Sequence, residues 1–131
     1  MDRRGYQQYK QQSVGSMTPG ELLLLLYDEL VKRALMASIA LDKKDFPAFE
    51  AAVDRCCDIV NYLDETLDRK YPISQDLCRM YDYFTYQLGR IKIGRNKQEL
   101  EKLRPMLAEM RDAFHSAEKS SGVQPGMGGQ V

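Results

Sequence analysis

The stretch GELLLLLYDEL, residues 20–30, sets five leucines in a row, Leu22 to Leu26, inside a chain otherwise rich in charge. A helix turns by about 100° per residue, so five consecutive leucines encircle it. A helix in a bundle buries one face in its own core, and the remaining leucines need another cover. A membrane is ruled out by length. A spanning helix takes roughly 20 apolar residues, whereas this run stops at Tyr27 and Asp28, Glu29, Lys32 and Arg33 follow it. The run is also too short for a signal peptide and has no small-residue cleavage site after it. The expected location is the cytoplasm, with no membrane insertion.

Working outward, TPGE supplies a helix start: Thr18 as N-cap, Pro19 at the first helical position and Glu21 completing a capping box. The helix is expected to run to about Leu41, before the polar break DKKD. Asp45 caps a second helix, with Pro47 in its first turn, expected to reach about Arg69. KYPIS is the next break, where Ser74 opens a third helix that runs to about Ile93 and ends at Gly94. Asn96 with Glu99 caps a fourth, expected to reach about Lys119.

Each helix carries an apolar series with alternating steps of three and four. The series are Leu23, Tyr27, Leu30, Ala34, Ala37, Leu41; Phe49, Ala52, Cys56, Ile59, Leu63; Leu77, Tyr81, Phe84, Leu88, Ile91; and Leu100, Leu103, Leu107, Met110, Phe114, Ala117. A mean step of 3.5 is the seam of helices crossing at a shallow angle, and short connections make successive helices antiparallel neighbours. The expected fold is all-α: an antiparallel up-down four-helix bundle over residues 17–119. A flexible N-terminal arm, 1–16, and a Gly-rich disordered tail, 120–131, flank it. Pro105 conflicts with the fourth pattern, since it lacks an amide proton and clashes with the carbonyl of Glu101, so a kink or break is expected there.

Composition excludes several functions. Nineteen basic and nineteen acidic residues give a formal charge of zero, without the basic excess of a nucleic-acid binder. Three cysteines, two adjacent at 56–57, make neither a disulfide framework nor a CxxC zinc site. A di-metal bundle needs two Glu-x-x-His motifs, and the chain has one histidine, His115. That residue falls near the end of the last helix, where the dipole favours a cation; a phosphotransfer bundle would set its histidine on an exposed middle turn. There is no phosphate-binding glycine loop and no Cys-His nucleophile pair. No enzyme activity, cofactor or metal is expected.

With Leu23, Tyr27 and Leu30 facing the core, Leu24, Val31 and Leu35 fall about 100° to one side and Leu22 and Leu26 about 60–100° to the other. Leu25 and Ile39 lie near the opposite pole, with Met36 close to it. A line of exposed apolar residues beside an apolar flank suggests a groove. Three covers are open: the arm folding back through Tyr6, Tyr9, Val14 and Met17, a second copy of the chain, or a helix from another protein. Tyrosine usage points the same way. There are eight Tyr and no Trp, and MYDYFTY crowds Tyr81, Tyr83 and Tyr86 into one and a half turns. Only Tyr81 lies on the seam, and Tyr is enriched at interfaces.

Taken together, Tyr9 and Val14 in the arm, TPGEL at 18–22, LYD at 26–28, TLD at 66–68, MYDY at 80–83 and RDAF at 111–114 resemble the flagellin-specific export chaperones, the FliS family. The resemblance runs from about Tyr9 to Ala117. It implies a non-enzymatic bundle, monomeric or weakly dimeric. Such a bundle binds the C-terminal segment of flagellin, prevents its premature polymerisation and delivers it to the flagellar export gate. The arm is implied to occupy part of the groove when flagellin is absent. The residues expected to touch a partner are Tyr9, Val14, Leu22, Leu25, Tyr27, Met36, Ile39, Tyr81 and Tyr83. The chain departs from the family pattern at Glu29, where LYD is usually followed by Gly; at Ile91-Lys92, usually Ala-Asn; at Phe114, often Trp; and at Pro105.

Overall fold

The computed structural model describes residues 15–123, with side chains through residue 119. The arm residues Tyr9 and Val14 and the tail from residue 124 lie outside it. The described residues form four helices and no strand: α1 Pro19–Asp42, α2 Phe46–Glu65, α3 Ile73–Gly94 and α4 Lys97–Val123. Helix α1 packs on α2 and α4, and α3 packs on α2 and α4. Cross-links fix the antiparallel sense. Lys97 at the start of α4 meets Asp42 at the end of α1 at 2.7 Å, and His115 near the other end meets Asp28 at 2.9 Å. Lys92 late in α3 meets Asp54 of α2 at 2.8 Å. These pairs are exposed and solvent-screened, so they set register more than stability.

The starts are built as the capping signals require. The Thr18 hydroxyl accepts the Glu21 amide at 3.1 Å and donates to the Glu21 carboxylate. Asp45 Oδ1 accepts the Ala48 amide at 3.2 Å, and Asn96 Oδ1 accepts that of Glu99 at 3.1 Å. Asp45→Ala is expected to lower the unfolding free energy by about 1 kcal/mol, read by urea titration, because it orphans an α2 amide. A Cβ at Gly20 would meet the Glu118 carboxylate of α4, a flexible side-chain end that can swing aside.

Several boundaries differ from the sequence reading. Helix α2 stops at Glu65, four residues before Arg69. Thr66 turns its hydroxyl back onto the Tyr62 carbonyl at 2.8 Å, and Leu67 folds inward against the core. Ser74 is not a cap. It lies inside α3, 2% exposed, and donates to the Arg69 carbonyl at 3.3 Å, tying the 66–72 connection to the helix. Gly94 is the last residue of α3, and Arg95 takes the left-handed position instead, with φ 48°. Its guanidinium sits 3.7 Å from the centre of the Phe46 ring, a cation–π contact that offsets the backbone cost. Helix α4 continues to Val123 and runs unbroken through Pro105. The proline faces solvent, where water can take the Glu101 carbonyl, while Leu103 and Leu107 anchor the helix on either side.

The core follows the seams. Tyr27, Leu30, Ala34 and Ala37 meet Phe49, Val53, Cys56, Ile59, Val60 and Leu63, then Tyr81, Phe84, Leu88 and Ile91, then Leu100, Leu103 and Leu107. The seams fray at one end. Leu23, Leu77, Met110 and Phe114 are half-buried and Ala117 is exposed. The periodic pattern also misses a part-buried polar knot around the buried Ser38. Ser38 donates to Glu101 at 2.5 Å and accepts from Lys97 at 2.8 Å. The Ser38 hydroxyl, with Arg104 and Lys97, holds the Glu101 carboxyl below its usual range.

Candidate functional site

Where the seams fray, the bundle opens into a cavity of about 620 Å³. Leu22, Leu23 and Leu26 of α1 form one wall; Tyr62 and Leu63 of α2 continue into Thr66, Leu67, Asp68 and Tyr71 of the connection; Leu77 and Tyr81 of α3 and Phe114 of α4 close it. The turn at Thr66 that ends α2 puts the connection residues Thr66, Leu67, Asp68 and Tyr71 in the lining. The lining is leucine and aromatic, with Tyr62 and Tyr71 exposed and two of its other polar side chains already engaged. The Thr66 hydroxyl is spent on Tyr62, and the Asp68 carboxylate accepts the Lys70 amide at 3.1 Å.

Two tyrosines organise the inner wall. Tyr27 is 0% and Tyr81 2% exposed, and their hydroxyls meet at 2.7 Å. The Tyr27 ring stacks on Phe114 with centroids 4.8 Å apart and 17° between planes. Burial pushes both phenols up, so they stay protonated and serve as hydrogen-bonding groups. Such a stacked aromatic pair contributes about 0.5–1.5 kcal/mol beyond its buried area.

The residues expected to touch a partner separate into three sets. Leu22 and Tyr81 line the cavity, and Tyr27 lies behind them without lining it. Leu25, Met36 and Ile39 are exposed along the outer face of α1, as the helical wheel requires, and Tyr83 is exposed on α3. None of these four lines the cavity. Tyr9 and Val14 lie outside the described residues. Sequence reasoning did not single out Leu67, Tyr62 or Tyr71 as site residues. The TLD element at 66–68 was the available signal for Leu67, and the tyrosine excess was the signal for the other two.

The described side chains are poorly arranged for catalysis. Burial pushes the Cys56 thiol up to about 12, and it raises Cys57 as well, so neither is a thiolate near neutral pH. Asp64, Cys78 and Asp82 bring three potential metal ligands within 4.8 Å of one another. The Arg69 guanidinium already meets the Asp64 carboxylate there at 3.3 Å and lies beside Cys78. His115 Nε2 is bonded to Asp28. No helix among the described residues is long and apolar enough to cross a membrane.

What the site does offer is an apolar recess with an organised polar point, the usual make-up of a pocket for a ligand or a peptide side chain. The family model described as "Flagellar protein FliS" matches residues 2–121. A curated relative, the flagellar secretion chaperone FliS of Bacillus subtilis (strain 168), is 30% identical over 115 residues, covering 88% of this chain and 86% of its own length.

Proposed function

The chain belongs to the FliS family of flagellar proteins, and from that premise we propose that it is a cytoplasmic export chaperone for flagellin. It binds the C-terminal segment of flagellin, blocks premature polymerisation and hands the segment to the flagellar export gate. The observation that carries this reading is the apolar cavity, to which all four helices contribute. A recess of that size accepts a few apolar side chains of an incoming helix or extended stretch, the helix-in-groove mode of recognition. The exposed Leu25, Met36, Ile39 and Tyr83 are weaker contacts for the rest of the segment as it passes round the bundle. On this reading the arm through Tyr9 and Val14, outside the described residues, occupies part of the groove when flagellin is absent. Its attachment favours this, since Pro19 and Gly20, just downstream, are part of the lining.

Calorimetric titration with a flagellin C-terminal peptide tests the proposal. Ordering a flexible segment on an apolar surface is expected to give a strongly negative heat-capacity change, with about 2–5 kcal/mol of the gross contact energy absorbed by ordering. A heat-capacity change near zero, or equal binding by flagellin lacking the segment, would count against it.

A further inference from the structure

We propose that the cavity selects its occupant by one hydrogen-bond acceptor placed at the Tyr81 hydroxyl; this rests on the reading that a peptide segment enters the cavity. Two phenols bring two hydroxyl hydrogens to the Tyr27–Tyr81 pair, whose oxygens are 2.7 Å apart. Only one hydrogen can lie in the bond between them, and the other must find an acceptor elsewhere. If Tyr81 were the donor, the spare hydrogen would belong to Tyr27. That residue is 0% exposed, does not border the cavity and is covered by the stacked Phe114 ring. A donor sealed in such surroundings loses its water without gaining a partner.

The opposite arrangement avoids that loss. Tyr27 donates to Tyr81, and Tyr81, a residue of the cavity lining, keeps the hydrogen that an occupant can accept. Asp64 is close enough to raise the Tyr81 phenol electrostatically, but its carboxylate accepts from Arg69 and is not bonded to Tyr81. The Thr66 hydroxyl and the Asp68 carboxylate are occupied, as described above, and Tyr62 and Tyr71 are exposed residues whose phenols are open to water. Tyr81 therefore carries the one buried hydroxyl of an otherwise apolar inner wall. The chemistry that fits is an apolar peptide stretch with one free carbonyl, either a backbone C=O outside a helical ladder or an Asn or Gln side chain. An apolar segment with every carbonyl internally bonded fills the volume and leaves the Tyr81 hydrogen stranded. In this scheme Tyr81 is the specificity-determining residue and Tyr27 positions it.

The test compares Tyr81→Phe and Tyr27→Phe in the full chain, each titrated calorimetrically with the flagellin C-terminal peptide and each melted thermally. Both variants are expected to melt below the unmodified protein. Tyr81→Phe is expected to bind about tenfold more weakly, the equivalent of one neutral hydrogen bond, and Tyr27→Phe, which keeps the Tyr81 donor, less than about threefold more weakly. Unchanged affinity in Tyr81→Phe, or equal losses in the two variants, overturns the proposal. Should Tyr81→Phe fail to fold, the hydroxyl proton of Tyr81 in the unmodified protein carries the test by NMR. It is expected to move downfield on adding peptide, and an unmoved resonance overturns the proposal. If the unmodified protein does not bind the peptide, the functional reading itself falls and takes this proposal with it.

Discussion

Phe84→Ala is expected to lower the free energy of unfolding by about 3–5 kcal/mol. Phe84 is fully buried at the middle of α3 and belongs to the continuous core that joins all four helices. Truncation removes the transfer energy of a whole aromatic ring and leaves a void that fixed helices fill only in part. A domain of this size holds about 5–15 kcal/mol in total, so the variant should stand near its unfolding threshold at growth temperature. Urea titration should show a lower midpoint with an unchanged slope. A loss below about 1 kcal/mol would mean that the neighbouring side chains collapse into the space, and that the core is more plastic than its packing suggests.

Leu22→Glu is expected to leave the bundle folded and to weaken flagellin binding by about 100- to 1,000-fold. Leu22 is half-buried at the fourth residue of α1 and forms part of the cavity wall. In the free protein the new carboxylate reaches water, and its place near the helix start favours it by a few tenths of a kcal/mol. Once a peptide fills the recess, the charge is enclosed without a cation, and the nearby Asp68 repels it further. Enclosing an unpaired charge costs about 3–5 kcal/mol. Leu25→Glu, one helical step round on the exposed face, is expected to cost less than about fivefold, in keeping with a rim contact. Melts and calorimetry on the two variants give the comparison. Normal binding by Leu22→Glu would place the partner elsewhere, and equal losses would put the outer face of α1 in the main interface.

Periodicity carried the fold because the seams are nearly regular. Leu30, Phe49, Phe84 and Leu100 all fall where a 3.5-residue step puts them, and Thr18, Asp45 and Asn96 cap as their side-chain chemistry dictates. The wheel also placed Leu25, Met36 and Ile39 on the wet face correctly. It failed where several ends converge. Leu23 has the same spacing as Tyr27, yet it is half-buried because the bundle is open at its level. The connection's share of the lining depends on α2 stopping at Glu65, a local contest between helix propagation and the Thr66 turn that a long polar stretch, DETLDRK, does not decide. Ser38 reads as a surface serine until the next-door helix brings Lys97 and Glu101 against it. The end of α3 at Gly94 was legible, but the left-handed turn at Arg95 was not, because the Phe46 ring that holds its guanidinium is 49 positions away in the chain, from 46 to 95.

The cavity draws its wall from the first helix and the last, with Leu22 at one end of the sequence and Phe114 close to the other. A chain emerging from the ribosome makes α1, α2 and α3 in turn, yet none of these alone encloses the recess. Until α4 has left the exit tunnel and docked against α1, Tyr27 lacks the ring that covers it and its leucine neighbours remain open to water. Enclosure of the recess thus waits until α4 has docked. On the proposed function, nascent fragments without α4 would not yet hold flagellin, and a chain shortened before Phe114 would lose binding well before it lost most of its helix.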